Sequence, residues 1–211
     1  KEYRDLIFVN RNVQSIKIPS YIERITNYSF SDSSIMNITI PNNVKEICNF
    51  AFRCCKKLRQ IQFSNNSKLQ TIGENAFESS ALNFIAIEPQ ITRIRCGTFS
   101  FCVSLQKVTF PENSEAQIIE SSAFNDSQIE SIKIPSDIVL EEGCFDATNK
   151  LVNIKIFPRN NKENFLYFED KMIIGKSDMK SDNFNVLLFV RRNIENITIP
   201  SFVKRIASSA F

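Results

Sequence analysis

Residues 35–52 read IMNITIPNNVKEICNFAF, and residues 58–87 read LRQIQFSNNSKLQTIGENAFESSALNFIAI. Both follow one frame: an aliphatic residue, then apolar residues at alternate positions, a second aliphatic pair, and a small residue before phenylalanine. The frame starts at Val13, Ile35, Leu58, Leu82, Leu105, Ile129 and Leu151, a period of 22 to 24 residues. Its fourth and sixth positions are Ile16/Ile18, Ile38/Ile40, Ile61/Phe63, Ile85/Ile87, Val108/Phe110, Ile132/Ile134 and Ile154/Ile156. Apolar side chains two apart predict a short strand with one buried face. Proline follows at Pro19, Pro41, Pro111 and Pro135. Its missing N–H and fixed φ are expected to end the pairing there. The second aliphatic pair comes next, as in Val44/Ile47, Leu69/Ile72 and Ile91/Ile94.

The phenylalanine slot closes each unit: Phe30, Phe52, Phe77, Phe99, Phe124 and Phe145. The residue before it is Ser29, Ala51, Ala76, Thr98, Ala123 or Cys144. Stretches such as GENAFES and ESSAFND are expected to make one or two helical turns that lower the ring into the core. A single unit cannot bury its strand and its ring, whereas stacked units can. The fold class expected is an α/β solenoid of about seven stacked units with a parallel concave sheet.

These units resemble the BspA-like leucine-rich repeat family, which alternates an IP-x-x-V-x-x-I unit with a longer S-x-L-x-x-I-G-x-x-A-F unit. The resemblance covers nearly all of residues 13–158 and resumes from Ile194 to Phe211. It implies a curved leucine-rich repeat solenoid. Family members are mostly surface proteins of mucosal bacteria and parasitic protists, linked to adhesion and host-protein binding. The Asn- and Ile-rich wording is closer to protist members.

After Ile156 the frame lapses. NFLYFED, KMIIGKS and NVLLFV are three strand-like runs separated by polar turns. The segment 187–206, LLFVRRNIENITIPSFVKRI, then restates 6–25, LIFVNRNVQSIKIPSYIERI, matching at 11 of 20 positions. The chain is therefore expected to divide into a remnant of a preceding insert (1–12), repeats (13–160), a β-meander insert (161–193) and a truncated repeat (194–211). Leu6 to Val9, like Leu187 to Val190, is expected to be a strand of such an insert. Without its upstream partners this copy predicts weak self-association by strand addition. Neither end shows a polar capping unit, as expected of a segment of a longer array.

Composition excludes more than it suggests. Of 211 residues 43% are hydrophobic and 23% charged, with a net charge of +3 and no histidine. Histidine-dependent catalysis and metal sites are thereby removed. Four scattered glycines, Gly73, Gly97, Gly143 and Gly175, build no phosphate cradle. Neither an enzyme, a cofactor nor a metal is expected. Charges are interspersed, which argues against nucleic acid, and no apolar run is long enough for membrane insertion. The six cysteines, Cys48, Cys54, Cys55, Cys96, Cys102 and Cys144, fall in alternate units. Equivalent positions two turns apart lie roughly 9–10 Å apart, beyond the ~7 Å a disulfide spans between Cα atoms. They read as small residues at the loop bend, with a link inside one repeat, such as Cys48 to Cys54, left open.

The residues flanking the fourth strand position point outward on the concave sheet: Ser15/Lys17, Asn37/Thr39, Gln60/Gln62, Phe84/Ala86, Lys107/Thr109, Ser131/Lys133 and Asn153/Lys155. The binding candidates among them are Lys17, Thr39, Gln62, Phe84, Lys107, Thr109, Lys133, Asn153 and Lys155. Lys107, Lys133 and Lys155 are expected to share one outward column. Such a mildly basic face suits a protein or glycan ligand of acidic character; the family resemblance implies a host-derived one. Five N-x-[ST] sequons, at Asn27, Asn37, Asn65, Asn125 and Asn196, are glycosylation candidates on a secreted route. The resemblance implies a cell-surface or secreted adhesion or host-interaction module. The alternative is a cytoplasmic leucine-rich repeat scaffold, favoured by six thiols and by the lack of a signal peptide in KEYRDLIFVNRN.

Overall fold

The computed structural model describes residues 4–160, 162–178 and 180–211, so the expected first residue of the insert, 161, lies outside the described residues. In chain order the strands begin with β1 (Asp5–Leu6), β2 (Arg24–Ile25), β3 (Asn37–Ile40), β4 (Glu46–Ile47), β5 (Gln60–Phe63) and β6 (Thr71–Ile72). Next come β7 (Phe84–Ala86), β8 (Arg93–Ile94), β9 (Lys107–Thr109), β10 (Ile118–Ile119), β11 (Ser131–Pro135) and β12 (Val139–Leu140). The last are β13 (Asn153–Phe157), β14 (Phe165–Phe168), β15 (Met172–Lys176), β16 (Phe184–Val190) and β17 (Arg205–Ile206).

The result is a parallel-strand solenoid of about nine turns. From Ile35 to Leu140 each coil lays down one inner strand from its alternating apolar pair and one two-residue strand from its second aliphatic pair; the first repeat supplies only β2, and the strand expected at Ile16 and Ile18 does not form. The inner strands pair in parallel as β3-β5 and as β7-β9-β11-β13. The two-residue strands pair in parallel as β1-β2-β4-β6 and as β8-β10-β12. Both ladders break at the same junction, between the coil of β5–β6 and that of β7–β8. The strand face that carries Ile38, Ile85, Val108 and Ile132 is buried, as the alternation predicts. Pro135 departs from expectation: β11 runs through it, paired with Phe157. The ladder survives because Ser136 N donates to Phe157 O at 2.9 Å, so no bond is asked of the proline nitrogen.

The phenylalanine segments are not helical turns; no helix occurs among the described residues. Each ring is bracketed by two left-handed residues, as in Tyr28/Asp32, Phe50/Cys54, Asn75/Ser79, Gly97/Phe101, Ser122/Asp126 and Gly143/Ala147. Two such reversals are incompatible with a right-handed helix. Hydrogen bonding alternates accordingly. Ser29, Ser31 and Ser33 donate three residues back within their own coil, while Phe30 and Asp32 donate to Ala51 O and Arg53 O of the next coil. The pattern recurs downstream: Phe52 N to Ala76 O, Phe77 N to Thr98 O, Phe99 N to Ala123 O, Phe124 N to Cys144 O. A helix would spend every N–H locally, whereas here every second one ties coil to coil. The acceptor is the small residue before the next phenylalanine, which explains why that residue is small and buried.

Inside, the six rings from Phe30 to Phe145 form one stacked column with successive centroids 4.7, 5.3, 5.6, 5.5 and 5.9 Å apart. Phe189 meets the end of that column edge-on at 5.6 Å. Beside it runs a slot of Ser33, Cys55, Ser80, Cys102 and Ser127, all buried. Cys55 and Cys102 donate to Phe30 O and Phe77 O, each at 3.1 Å.

β14, β15 and β16 form an antiparallel meander, and β16 pairs in parallel with β17 of the following coil. The two restated segments adopt the same local structure. Leu6 pairs with Ile25 as Leu187 pairs with Ile206. Val9 N bonds Ser29 O as Val190 N bonds Ala210 O. Arg11 lies over Phe8 at 4.8 Å and donates to Tyr28 O and Ser29 O; Arg192 lies over Phe189 at 4.7 Å and donates to Ser209 O and Ala210 O. Their surroundings differ: Phe189 is 1% exposed and Phe8 64%. The meander is fastened at both sides. Arg159 pairs with Asp137 at 2.6 Å, mostly buried, and donates also to Ser114 O and Ala116 O. Glu142 accepts from Arg205 at 2.7 Å and from Ser208 N at 3.2 Å.

Candidate ligand-binding face

The inner strands leave two columns of side chains on their open face. Register assigns them: Asn37 stands beside Gln60 and Thr39 beside Gln62; Phe84, Lys107, Ser131 and Asn153 follow in one column; Ala86, Thr109, Lys133 and Lys155 follow in the other. Lys107, Lys133 and Lys155 therefore do not share a column. Lys107 precedes its central valine, whereas Lys133 and Lys155 follow their central isoleucines, and the two-residue period of a strand separates those positions. The three still line one trough of about 230 Å³ with Thr109, Ser131 and Asn153. Lys133 reaches Glu112 at 3.4 Å and lies over the Phe157 ring at 5.0 Å. Among the described residues no carboxylate is within ion-pair distance of Lys107 or Lys155.

At the other end a shallow trough of about 780 Å³ is lined by Lys17, Asn37, Thr39, Gln60 and Gln62 and by the backs of the strands. Its rim includes Ser20, Asn42 and Ser64, loop residues that the strand frame alone did not single out. They are legible as the positions just past each strand, where the chain turns away from the sheet. Phe84, 47% exposed, stands between the two troughs, on the first strand after the break in the ladder. Lys17, Thr39, Gln62, Lys107, Asn153 and Lys155 are exposed; Thr109 and Lys133 are half-buried.

The five sequons scatter. Asn27, Asn65 and Asn196 are exposed, Asn37 is exposed within the amide-lined trough itself, and Asn125 is half-buried with its carbonyl bonded to Phe101 N. All six cysteines are unpaired. Burial pushes the Cys48, Cys55 and Cys102 thiols up to about 11 and raises that of Cys144 as well. They remain protonated at neutral pH and so lack the thiolate that thiol chemistry needs. A feature the sequence frame missed lies on the phenylalanine-turn side. Tyr28 and Phe50 stack in parallel at 4.9 Å, both in the left-handed region at a slot that holds Asn75, Gly97, Ser122 and Gly143 in later coils. No helix among the described residues is long and apolar enough to cross a membrane.

The fold is similar to that of several solved bacterial proteins. The pneumococcal vaccine antigen PcpA shares 23% identity over 90% of this chain and 48% of that chain, with a TM-score of 0.74. A leucine rich cell surface protein of Faecalibacterium prausnitzii shares 22% identity over 100% of this chain and 61% of that one, with a TM-score of 0.67. A leucine-rich repeat protein of Eubacterium ventriosum shares 17% identity over 90% and 45%, with a TM-score of 0.53. The chain thus spans between 45% and 61% of these solved chains. A comparison with curated proteins returns no match. The description "BspA type Leucine rich repeat region" fits the sequence in six copies, over residues 1–116 and 70–185. With those copies in the sequence and the repeating coil in the structure, the chain belongs to the BspA-type leucine-rich repeat family.

Proposed function

We propose that the protein is a non-catalytic ligand-binding module of the cell surface, an adhesion or host-interaction unit that engages its partner through the concave face. The observation that carries this reading is the face itself. Across six strands the outward positions, Phe84 and Ala86 apart, are polar and exposed or half-buried, while the central apolar residue of every strand is buried. A solenoid exposes such a concave surface as an extended binding area, and its coils need only supply outward side chains. The description of the F. prausnitzii relative as a cell surface protein supports the same setting.

The test is binding of the purified chain to host cells. Replacing Lys107, Lys133 and Lys155 together by Glu should weaken binding at least tenfold and flatten its salt dependence, with the thermal melt retained. Unchanged affinity and salt dependence would move the site to the meander or the phenylalanine-turn side. The second reading is an intracellular scaffold, favoured by the six unpaired thiols. Labelling of the protein on intact cells with a membrane-impermeant reagent separates the two, since a scaffold would stay unlabelled.

A further inference from the structure

The concave face changes chemistry along its length, and that change identifies a class of ligand. At one end Lys17 is the one charge in a trough of hydroxyls and carboxamides: Ser15, Asn37, Thr39, Gln60 and Gln62. These five side chains both donate and accept hydrogen bonds. Ile16, Ile18, Ile38 and Pro41 also line the trough, but it holds no aromatic anchor of the kind a protein partner's central contacts use. An array of sugar hydroxyls needs only alternating donors and acceptors on an open surface. Phe84 follows, the one aromatic in the two columns, with 47% of its surface available to lie against the apolar face of a sugar ring. At the other end Lys107, Lys133 and Lys155 converge on one trough, where Glu112, 82% exposed, is the one ion-pair partner among the described residues.

From this order of groups, and resting on the reading of the concave face as the binding surface, we infer that the ligand is an acidic polysaccharide. It lies across the strands, its neutral hydroxyls over the amide trough, one ring on Phe84 and its carboxylate or sulfate groups over the three lysines. The spacing suits such a chain. Neighbouring strands stand about 4.8 Å apart, close to the advance of one sugar unit in an extended polysaccharide, so successive units meet successive coils. From Phe84 to Asn153 is three strand steps, roughly 14 Å at that spacing, and Gln60 lies one coil further, across the break in the ladder. Only a ligand of several units reaches both the amides and the lysines.

The experiment measures binding of the whole chain to polygalacturonate, dextran sulfate, unmodified dextran and poly-L-glutamate, alongside the host-cell assay. Polygalacturonate or dextran sulfate should bind and lose affinity as salt rises; which of the two binds tighter tells carboxylate from sulfate. Dextran should bind at least tenfold more weakly, and galacturonate monomer should fail to compete where oligomers succeed. The triple variant Lys107→Gln, Lys133→Gln, Lys155→Gln should cost tenfold or more. Phe84→Ala and Gln60→Ala, exposed positions that leave the fold intact, should each cost severalfold for the polysaccharide. Poly-L-glutamate binding as tightly, with no response to Phe84→Ala or Gln60→Ala, would overturn the inference in favour of an acidic protein partner. Lysine-dependent cell binding without any polysaccharide binding would also overturn it, yet leave the concave face as the binding surface. Loss of both would remove the parent reading too.

Discussion

Each phenylalanine inside the stacked column, from Phe52 to Phe124, touches a ring above and a ring below, so removing one opens a void that neither neighbour can fill without leaving its own coil. Phe52→Ala or Phe99→Ala should therefore destabilise the fold by about 3–5 kcal/mol, read as a shift in chemical denaturation. An unchanged midpoint would mean the ring is not held between its neighbours as the 4.7 to 5.6 Å centroid spacings require. The adjacent slot makes a different demand. Serine and cysteine alternate there, and Cys55 and Cys102 sit where burial pushes their thiols up to about 11. An unfolded thiol ionises near ~8.5, so the folded chain holds these protons more tightly. Their contribution is complete below the unfolded value and is lost as pH rises through the folded one. Denaturation midpoints should fall between pH 8.5 and 11 by the two thiols' share, and the double variant Cys55→Ser, Cys102→Ser should flatten that fall. Serine fits because Ser33, Ser80 and Ser127 already occupy the slot in the intervening coils.

The elements are too short to stand alone. Strands such as β2, β4 and β6 are two residues long and gain their order from the coils on either side. The meander is the one place among the described residues where the chain leaves this logic, and the coil after it is tied back to the repeats by side chains. Glu142 holds Arg205 and the Ser208 N–H, and these donors keep its carboxyl below the usual carboxylate range. A lowered folded value means that its stabilisation is complete above the usual range and fades as pH falls through the lowered value. Because the pair is solvated, the effect should stay below about 1 kcal/mol. Hydrogen exchange at Ser208 is the suitable measurement: protection should drop on acidification, and Glu142→Gln should lower it already at pH 7. Equal protection in both proteins across that range would remove the role assigned to Glu142.

For the whole molecule, strand β1 pairs on one side only among the described residues. It is bonded to β2, whereas the corresponding β16 also has β15 on its other edge. Ile7 and Phe8 beside it are 73% and 64% exposed. An apolar strand with an open edge is a template for another strand. Sedimentation at high protein concentration should show weak dimer in the 211-residue chain, and deleting residues 1–10 should abolish it while the melt of the repeats persists. A monomer at every concentration would mean that Ile7 and Phe8 are poor templates despite their exposure.

The period of 22 to 24 residues, the alternating strand face and the phenylalanine slot could all be read from the sequence, because burial in a stacked array imposes the same demand on every unit. So could the outward residues of the candidate face; their columns follow only when alternation is counted from each central residue, which separates Lys107 from Lys133 and Lys155, against the single column expected. Three things were decided only by the tertiary structure. Segments such as ENAFES carry a local pattern that suits a helical turn, and the left-handed residues around each ring were chosen by hydrogen bonds to a coil some 20 to 24 residues away. The shared break in both ladders next to Phe84, which parts the amide-lined trough from the three-lysine trough, follows from how two particular coils meet. Arg159 reaches carbonyls 43 and 45 residues earlier in the chain. Period and polarity are properties of one unit and repeat in the sequence; contacts between units depend on their relative placement, which no single unit contains.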